Sequence, residues 1–309
     1  MNSVMTTIRE LERLAPRRFD SEKLARELVK RKLTEHGVDF QTQPFNNHLP
    51  HFTRFGLEAD GEAIECMPTA FRSGEIEGKP LISSMSVSGR YYEWQNINFN
   101  PYSDVFSLAT FYRAPSLTIK RKDVQRIVDA EVVEGKVRVT KKPHRCENII
   151  AGNARNPRNV LIAHTDSVLS GALDNASGTA LLLELAKNNA KENMFVFSGC
   201  EELSFDEPIY WGRGYRMLEQ QFKRTMVAAR KVIVVDMVGS SSPTLITDKT
   251  IRLAAFPIKD QKLFERSCIL SVGGHEWMPV YHSASDKTNL IKQRYINETL
   301  AFARRLMTK

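Results

Sequence analysis

Cysteine is scarce in this chain and follows no pattern. Its four thiols, Cys66, Cys146, Cys200 and Cys268, lie far apart with no CxxC spacing. That argues against a disulfide framework or a zinc knuckle and for buried, reduced thiols in a cytoplasmic protein. Long apolar runs are also missing. The longest, such as Val232–Val235, are far too short to cross a bilayer, so no membrane partner is expected. The stretch MNSVMTTIRELER has no apolar segment of the secretory type, so no signal peptide is expected either. There is no internal repeat and no low-complexity tract. With 42% hydrophobic and 26% charged residues the composition is that of an ordinary globular protein, not a disordered one. The formal charge of +8 is scattered over Arg26, Lys30, Arg31, Lys32, Arg304 and Arg305 with no nucleic-acid-binding motif, which argues against DNA or RNA as a partner.

What is present alternates in texture. Ile8, Leu11 and Leu14 give a short amphipathic helix stopped by Pro16. Asp20 reads as the N-cap of a second helix, with Leu24, Ala25, Leu28 and Val29 facing inward and Gly37 beyond its end. Val38–Phe45 reads as a strand. From about Asn46 to His144, short β-like pieces (Leu81–Val87, Val105–Phe111, Val132–Val139) are separated by turn residues, with aromatics dense around Tyr91, Tyr92 and Trp94. From Glu147 strand and helix alternate. The strands are Asn148–Ala151, Val160–Ala163, Met194–Ser198 and Val232–Val235. The helices are Ala176–Ala186, Pro208–Gln221, Asp260–Leu270 and Asn289–Met307. The pattern predicts an α/β fold with a mostly parallel central sheet and helices on both faces. Residues 1–46 and 145–309 are expected to form one domain, interrupted by a β-rich insertion over 47–144.

Acidic residues and imidazoles sit just past the apolar runs, where open α/β sheets gather ligands. Val160–Ala163 is followed by His164-Thr165-Asp166, and Asp174-Asn175 opens a small-residue helix. Met194–Ser198 is followed by Gly199-Cys200-Glu201-Glu202, and Val232–Val235 by Asp236. Taken singly, each has an ordinary explanation: a helix N-cap for Asp174, a solvated turn for Glu201-Glu202, a loop histidine for His282. Asp236, flanked by apolar residues, needs a counter-charge or several hydrogen bonds if it is buried. Together they suggest a shared partner, and imidazoles with carboxylates suit zinc. Asp174 is the best candidate to bridge two ions. One residue of the Glu201-Glu202 doublet can hold metal while the other serves as general base, and Asp166 is placed to orient His164. The reaction this assembles is hydrolysis by a metal-activated water.

His164-Thr165-Asp166-Ser167, Asp174-Asn175-Ala176-Ser177-Gly178, Glu201-Glu202, Asp236, and Tyr281-His282 followed by Asp286 together resemble the di-zinc exopeptidases of the aminopeptidase Y and bacterial leucyl aminopeptidase type. The resemblance covers roughly Glu147–Lys309 and the N-terminal helices. It implies that His164 and Asp236 hold one Zn2+ and Glu202 and His282 the other, with Asp174 bridging. It further implies Glu201 as general base, Asp166 as the partner of His164, and a cis peptide between Asp174 and Asn175. Two Zn2+ per chain are then expected, with Co2+ or Mn2+ as substitutes, and peptides as substrates. The insertion would be a protease-associated-like domain, a lid or a dimerisation arm, and a homo-oligomer is compatible with it.

The chain departs from that pattern after Glu202. Leu203-Ser204-Phe205-Asp206-Glu207-Pro208 stands where small residues are usual, which bears on the specificity pocket. Glutaminyl cyclisation and carboxypeptidase action are alternatives on the same scaffold, and a receptor-like, non-catalytic scaffold is another. Several residues are set aside. His275-Glu276 begins like HExxH, but Pro279 replaces the second histidine. Cys200 reads as a buried small side chain and not a nucleophile, and Trp211 and Tyr215 read as packing.

Overall fold

The computed structural model describes residues 3–84 and 92–308. In chain order, helices α1 (Ser3–Glu12) and α2 (Asp20–Glu35) lead into strand β1 (Phe40–Ala59). Short strands follow: β2 (Glu62–Ala63), β3 (Cys66–Pro68), β4 (Gly74–Glu77), β5 (Leu81–Ser84), β6 (Asn96–Phe99) and β7 (Ser116–Ile119). Helix α3 (Val124–Asp129) precedes β8 (Val133–Gly152). Then come β9 (Asn159–His164), α4 (Gly178–Asn189), β10 (Met194–Ser198), α5 (Arg213–Ala228), β11 (Lys231–Val235) and β12 (Thr244–Ile246). The chain ends with α6 (Lys249–Ala255), α7 (Gln261–Glu265), β13 (Ser267–Ser271), α8 (Gly274–Trp277) and α9 (Gln293–Thr308).

The chain divides into two units: residues 1–47, 144–277 and 286–309, and residues 48–143 with 278–285. In the first unit the strand order is β12-β13-β11-β9-β10-β8-β1. The centre, β13, β11, β9 and β10, is parallel. Its strands are buried on both sides and therefore read as unbroken apolar runs. Alternate residues face opposite ways. Leu161, Ala163, Phe195, Phe197, Ile233 and Val235 join a core with α1, α2, α4 and α9. Val160, Ile162, Val196, Val232 and Val234 join one with Tyr215, Leu218 and Phe222 of α5 and with Leu263 and Phe264 of α7. Helices thus cover both faces of a mixed α/β sheet. Tyr215 packs edge-on to Phe256, with centroids 5.1 Å apart. In the second unit a sheet ordered β3-β7-β6-β5 packs around Ile97, Leu117 and Ile119, and β4 pairs antiparallel with the start of β8.

Some elements differ from the sequence reading. Leu24 is 55% exposed, because the inward face of α2 is shared by Ala25, Leu28 and Val29 with an ion pair, Arg26 Nη1 to Glu22 Oε1 at 3.0 Å. Asp20 is the first helical residue, and Phe19 takes the N-cap position. Helix α5 starts at Arg213 because Gly212 sits at φ 70° and breaks the path from Pro208. The span Asp260–Leu270 is half helix and half strand. Asp260 caps α7 by accepting from the Leu263 N–H, and the apolar run after Arg266 joins the sheet beside β11. Val105–Phe111 is not a strand. Its polar groups turn to residues 278–285, with Ser107 Oγ donating to Tyr281 O at 2.6 Å and Leu108 N to His282 O at 3.0 Å. Met85–Val87 of the expected strand Leu81–Val87, and Tyr91, lie outside the described residues. The cysteines are free, and Cys66 is half-buried where the other three are buried.

Candidate metal centre

Parallel register brings the strand ends of the first unit to one edge. Ser198 pairs with His164, and Val234 with Ile162, so Asp236 falls level with His164 on the neighbouring strand. A further position at the edge comes from the turn before α4. There Asp174 and Asn175 have non-helical backbone angles and are joined by a cis peptide bond. Asn175 ties this turn to β11: its Nδ2 donates to Val235 O at 2.8 Å, and its Oδ1 accepts the Gly178 N–H at 3.0 Å. A Cβ at Gly178 would collide with both Asn175 Oδ1 and Val235 O, which accounts for glycine there. Ser177 Oγ donates to Leu173 O at 2.8 Å and accepts the Val238 N–H at 3.1 Å. Thr179 Oγ1 holds the His164 carbonyl at 2.8 Å.

His164 Nε2 lies 3.0 Å from Asp174 Oδ1 and 3.5 Å from Asp236 Oδ1. Donor atoms of His164, Asp174 and Glu202 lie within 4.8 Å of one another, all buried. Asp166 sits 3.5 Å from His164 Nδ1 through Oδ1, and its two oxygens accept the Glu201 N–H at 3.0 Å and the Glu202 N–H at 2.9 Å. Its main work is therefore on the backbone of the glutamate doublet, which follows Cys200 in the left-handed region at φ 51°. Burial alone would lower the His164 pKa, but Asp166, Asp174 and Asp236 outweigh it and hold the proton well above the ordinary range. Burial pushes the Glu201 carboxyl well up, and Glu202, Asp166 and Asp236 add to that against the opposing pull of His164.

Six sequence-predicted residues, His164, Asp166, Asp174, Glu201, Glu202 and Asp236, meet in the first unit. His282 belongs to the second. There its Nδ1 lies 3.1 Å from Leu108 O, its φ is 46°, and its ring stacks on Tyr281.

Two supporting residues carry roles that sequence reasoning did not assign. Arg17 is fully buried and donates to Thr165 O at 2.7 Å, Gly171 O at 2.8 Å and Ser170 O at 3.3 Å, clamping the loop after His164. Nothing distinguishes it in sequence from a surface arginine after a helix. Asp286 accepts the Leu173 N–H at 2.7 Å and the Asp174 N–H at 3.0 Å. Burial pushes its pKa up to about 7 despite those hydrogen bonds.

The centre fits a metal on its own charges. Asp166, Asp174, Glu201, Glu202, Asp236 and Asp286 are all buried, facing Arg17, Arg18 and one imidazole. Arg17 directs its guanidinium to carbonyls and not to the carboxylates. Buried carboxylates in such excess call for added positive charge, and a donor set of imidazole nitrogen and carboxylate oxygen suits Zn2+. A divalent ion competes for these donors with the proton on His164.

Residues 148–265, the segment that carries His164, Asp174, Glu202 and Asp236, match the family model "Peptidase family M28". Comparison with curated protein sequences finds no match. Among solved structures, the zinc aminopeptidase BSAP of Bacillus subtilis is similar at 17% identity and TM-score 0.67, over 98% of this chain and 94% of that one. A peptidase M28 precursor of Shewanella amazonensis is similar at 14% identity and TM-score 0.68, over 99% and 92%. The glutaminyl cyclase of Porphyromonas gingivalis is similar at 15% identity and TM-score 0.54, over 99% and 96%. At these identities the likeness establishes the fold, that of zinc exopeptidases.

Proposed function

We propose that this chain is a cytoplasmic, zinc-dependent aminopeptidase that removes residues from the N-terminus of peptides. The observation that carries the reading is the buried convergence of His164, Asp174 and Glu202 within a segment matched to a peptidase family. On this reading, as the resemblance implies, His164 and Asp236 would hold one zinc and Glu202 and His282 a second, with Asp174 shared between them. When bound, zinc polarises the scissile carbonyl and acidifies water.

The chain's own residues supply the rest. Glu201 takes the proton of the attacking water on its carboxylate and delivers it to the departing amine. Its burial among like charges makes it a stronger base than a solvated glutamate, as this task requires. Asp166 fixes the direction of both glutamates through their backbone N–H groups. The surplus of carboxylates favours a substrate that presents an ammonium group at the reacting end.

The test is mass spectrometry of a defined peptide mixture after incubation with zinc-loaded protein, beside a chelated control. Stepwise N-terminal shortening that the chelator stops is expected. C-terminal trimming, or cyclisation of N-terminal glutamine, would keep the metal reading and overturn the reaction. No change under any metal condition would point to a binding scaffold.

A further inference from the structure

A second cluster of metal-ligating side chains lies in the first unit, behind the glutamate doublet. Glu22 of α2, His144 and Cys146 of β8, and Cys200 after β10 place one donor atom each within 4.8 Å of one another, and all four are buried. His144 Nε2 meets Glu22 Oε2 at 2.5 Å. The Cys146 thiol donates to Glu22 Oε1 at 2.9 Å, and the Cys200 Sγ is 3.7 Å from Glu22 Oε2. Gly199 is glycine because a Cβ there would collide with Cys146 Sγ and crowd Glu22 Oε1. No two cysteines of the chain share CxxC spacing, yet folding brings two of them to one carboxylate and one imidazole.

We propose that Glu22, His144, Cys146 and Cys200 form a second, structural zinc site, separate from the hydrolytic centre. Two sulfurs, one imidazole nitrogen and one carboxylate oxygen make a four-donor set of the kind Zn2+ takes in closed tetrahedral sites. The donor spacing is compatible with such a site. With metal–sulfur bonds of about 2.3 Å and metal–nitrogen bonds of about 2.0 Å, tetrahedral donors stand roughly 3.3–3.8 Å apart.

The charges also close. Two thiolates and the carboxylate carry three negative charges, which the ion and the Arg26 guanidinium, 3.0 Å from Glu22, neutralise. Without the ion, a protonated His144 and Arg26 face Glu22 beside two neutral thiols, which leaves one net positive charge. The metal displaces those protons. Cys200 is bonded directly to Glu201 and its N–H donates to Glu22 Oε1 at 3.0 Å. An ion here therefore pins α2 and β8 to the turn that presents the glutamate doublet.

Cobalt(II) tests this without any assay of turnover. The hydrolytic centre offers nitrogen and oxygen donors only, so a thiolate-to-cobalt charge-transfer band in the near ultraviolet reports this cluster alone. The chain is produced in cobalt-supplemented medium, so that the ion is present while the buried donors assemble. The band is expected in the unaltered protein and in Asp174→Ala, and is expected to fall by about half or more in Cys146→Ser as thiolate ligands are lost. Metal analysis is expected to show less cobalt per chain in Cys146→Ser than in the unaltered protein. No band in the folded, unaltered chain would overturn the proposal, as would a band indifferent to Cys146→Ser or a Cys146–Cys200 disulfide found by mass spectrometry. Because the first measurement needs no variant, a Cys146→Ser chain that fails to fold does not shelter the idea. Failure at the hydrolytic centre would leave the band intact.

Discussion

Asp166 holds Glu202 by the backbone: its Oδ2 accepts the Glu202 N–H at 2.9 Å while Oδ1 accepts that of Glu201 at 3.0 Å. One carboxylate thereby sets the position of two others. Asp166→Asn keeps the shape but turns an NH2 group toward one of those N–H donors. The lost charge-assisted bond is worth about 1.5–3 kcal/mol, which lowers Tm by roughly 2–5 °C in a chain of this size. Activity is expected to fall by about 10–100-fold, the usual cost of losing a group that orients metal ligands. Calorimetry and kinetics on one preparation check both. A kcat/KM equal to that of the unaltered protein would remove Asp166 from the orienting role.

Glu201 and Glu202 are neighbours with different expected tasks, and substitution separates them. Glu201→Gln is expected to lower kcat by roughly 10²–10⁴-fold, the range for loss of a general base, with zinc content unchanged. Glu202→Gln is expected to reduce zinc content as well. Metal analysis beside the rate measurement decides it, and a Glu201→Gln chain with near-normal turnover would assign the proton to another group.

The legible part of this molecule was the part written in local pattern. Val160–Ala163, Met194–Ser198 and Val232–Val235 read as strands because both of their faces are buried. Polar residues at their ends stand out against such runs, so His164, Glu201, Glu202 and Asp236 could be named from sequence. Groups that meet only in three dimensions were not legible. Glu22 and Cys200 are far apart in the chain, yet the Cys200 N–H donates to Glu22 Oε1. Leu24 looked inward by periodicity, but the pairing of Glu22 with Arg26 lets that face of α2 bury charge in its place. The run Cys268–Leu270 is short and apolar, a pattern that fits helix and buried strand alike.

Cys66 offers a test in the second unit. Burial, with a contribution from Glu65, pushes its thiol up to about 11. Raising a thiol pKa leaves less thiolate at a given pH, so reactivity lies at the alkaline end and is lost as pH falls. At pH 8 the thiolate fraction drops roughly a hundredfold relative to a solvated cysteine, and the greater nucleophilicity of the more basic sulfur recovers about tenfold. Alkylation of Cys66 in the native chain is therefore expected to be about tenfold slower than in the urea-unfolded chain, and to rise steadily to pH 10. Peptide mapping after timed alkylation checks this. A plateau below pH 9 would contradict it.

Arg17 has a role that rests on geometry lysine cannot copy. Its guanidinium reaches the carbonyls of Thr165, Ser170 and Gly171 from one fork, and its backbone N–H donates to Ser167 Oγ at 3.1 Å. Arg17→Met keeps the length of the stem and removes every side-chain donor, leaving buried carbonyls without their partner. The cost is expected to be about 3–5 kcal/mol, or a Tm lower by roughly 5–8 °C. Arg17→Lys is expected to recover little of this, since a single ammonium cannot span carbonyls that a planar fork holds together. Zinc is expected to restore part of the loss in both variants, because the ion supplies positive charge to the carboxylates that Arg17 faces. Hydrogen exchange across residues 165–171 gives the local readout. Exchange there should speed up in both variants far more than in β9, and equal acceleration everywhere would make Arg17 a general packing residue instead.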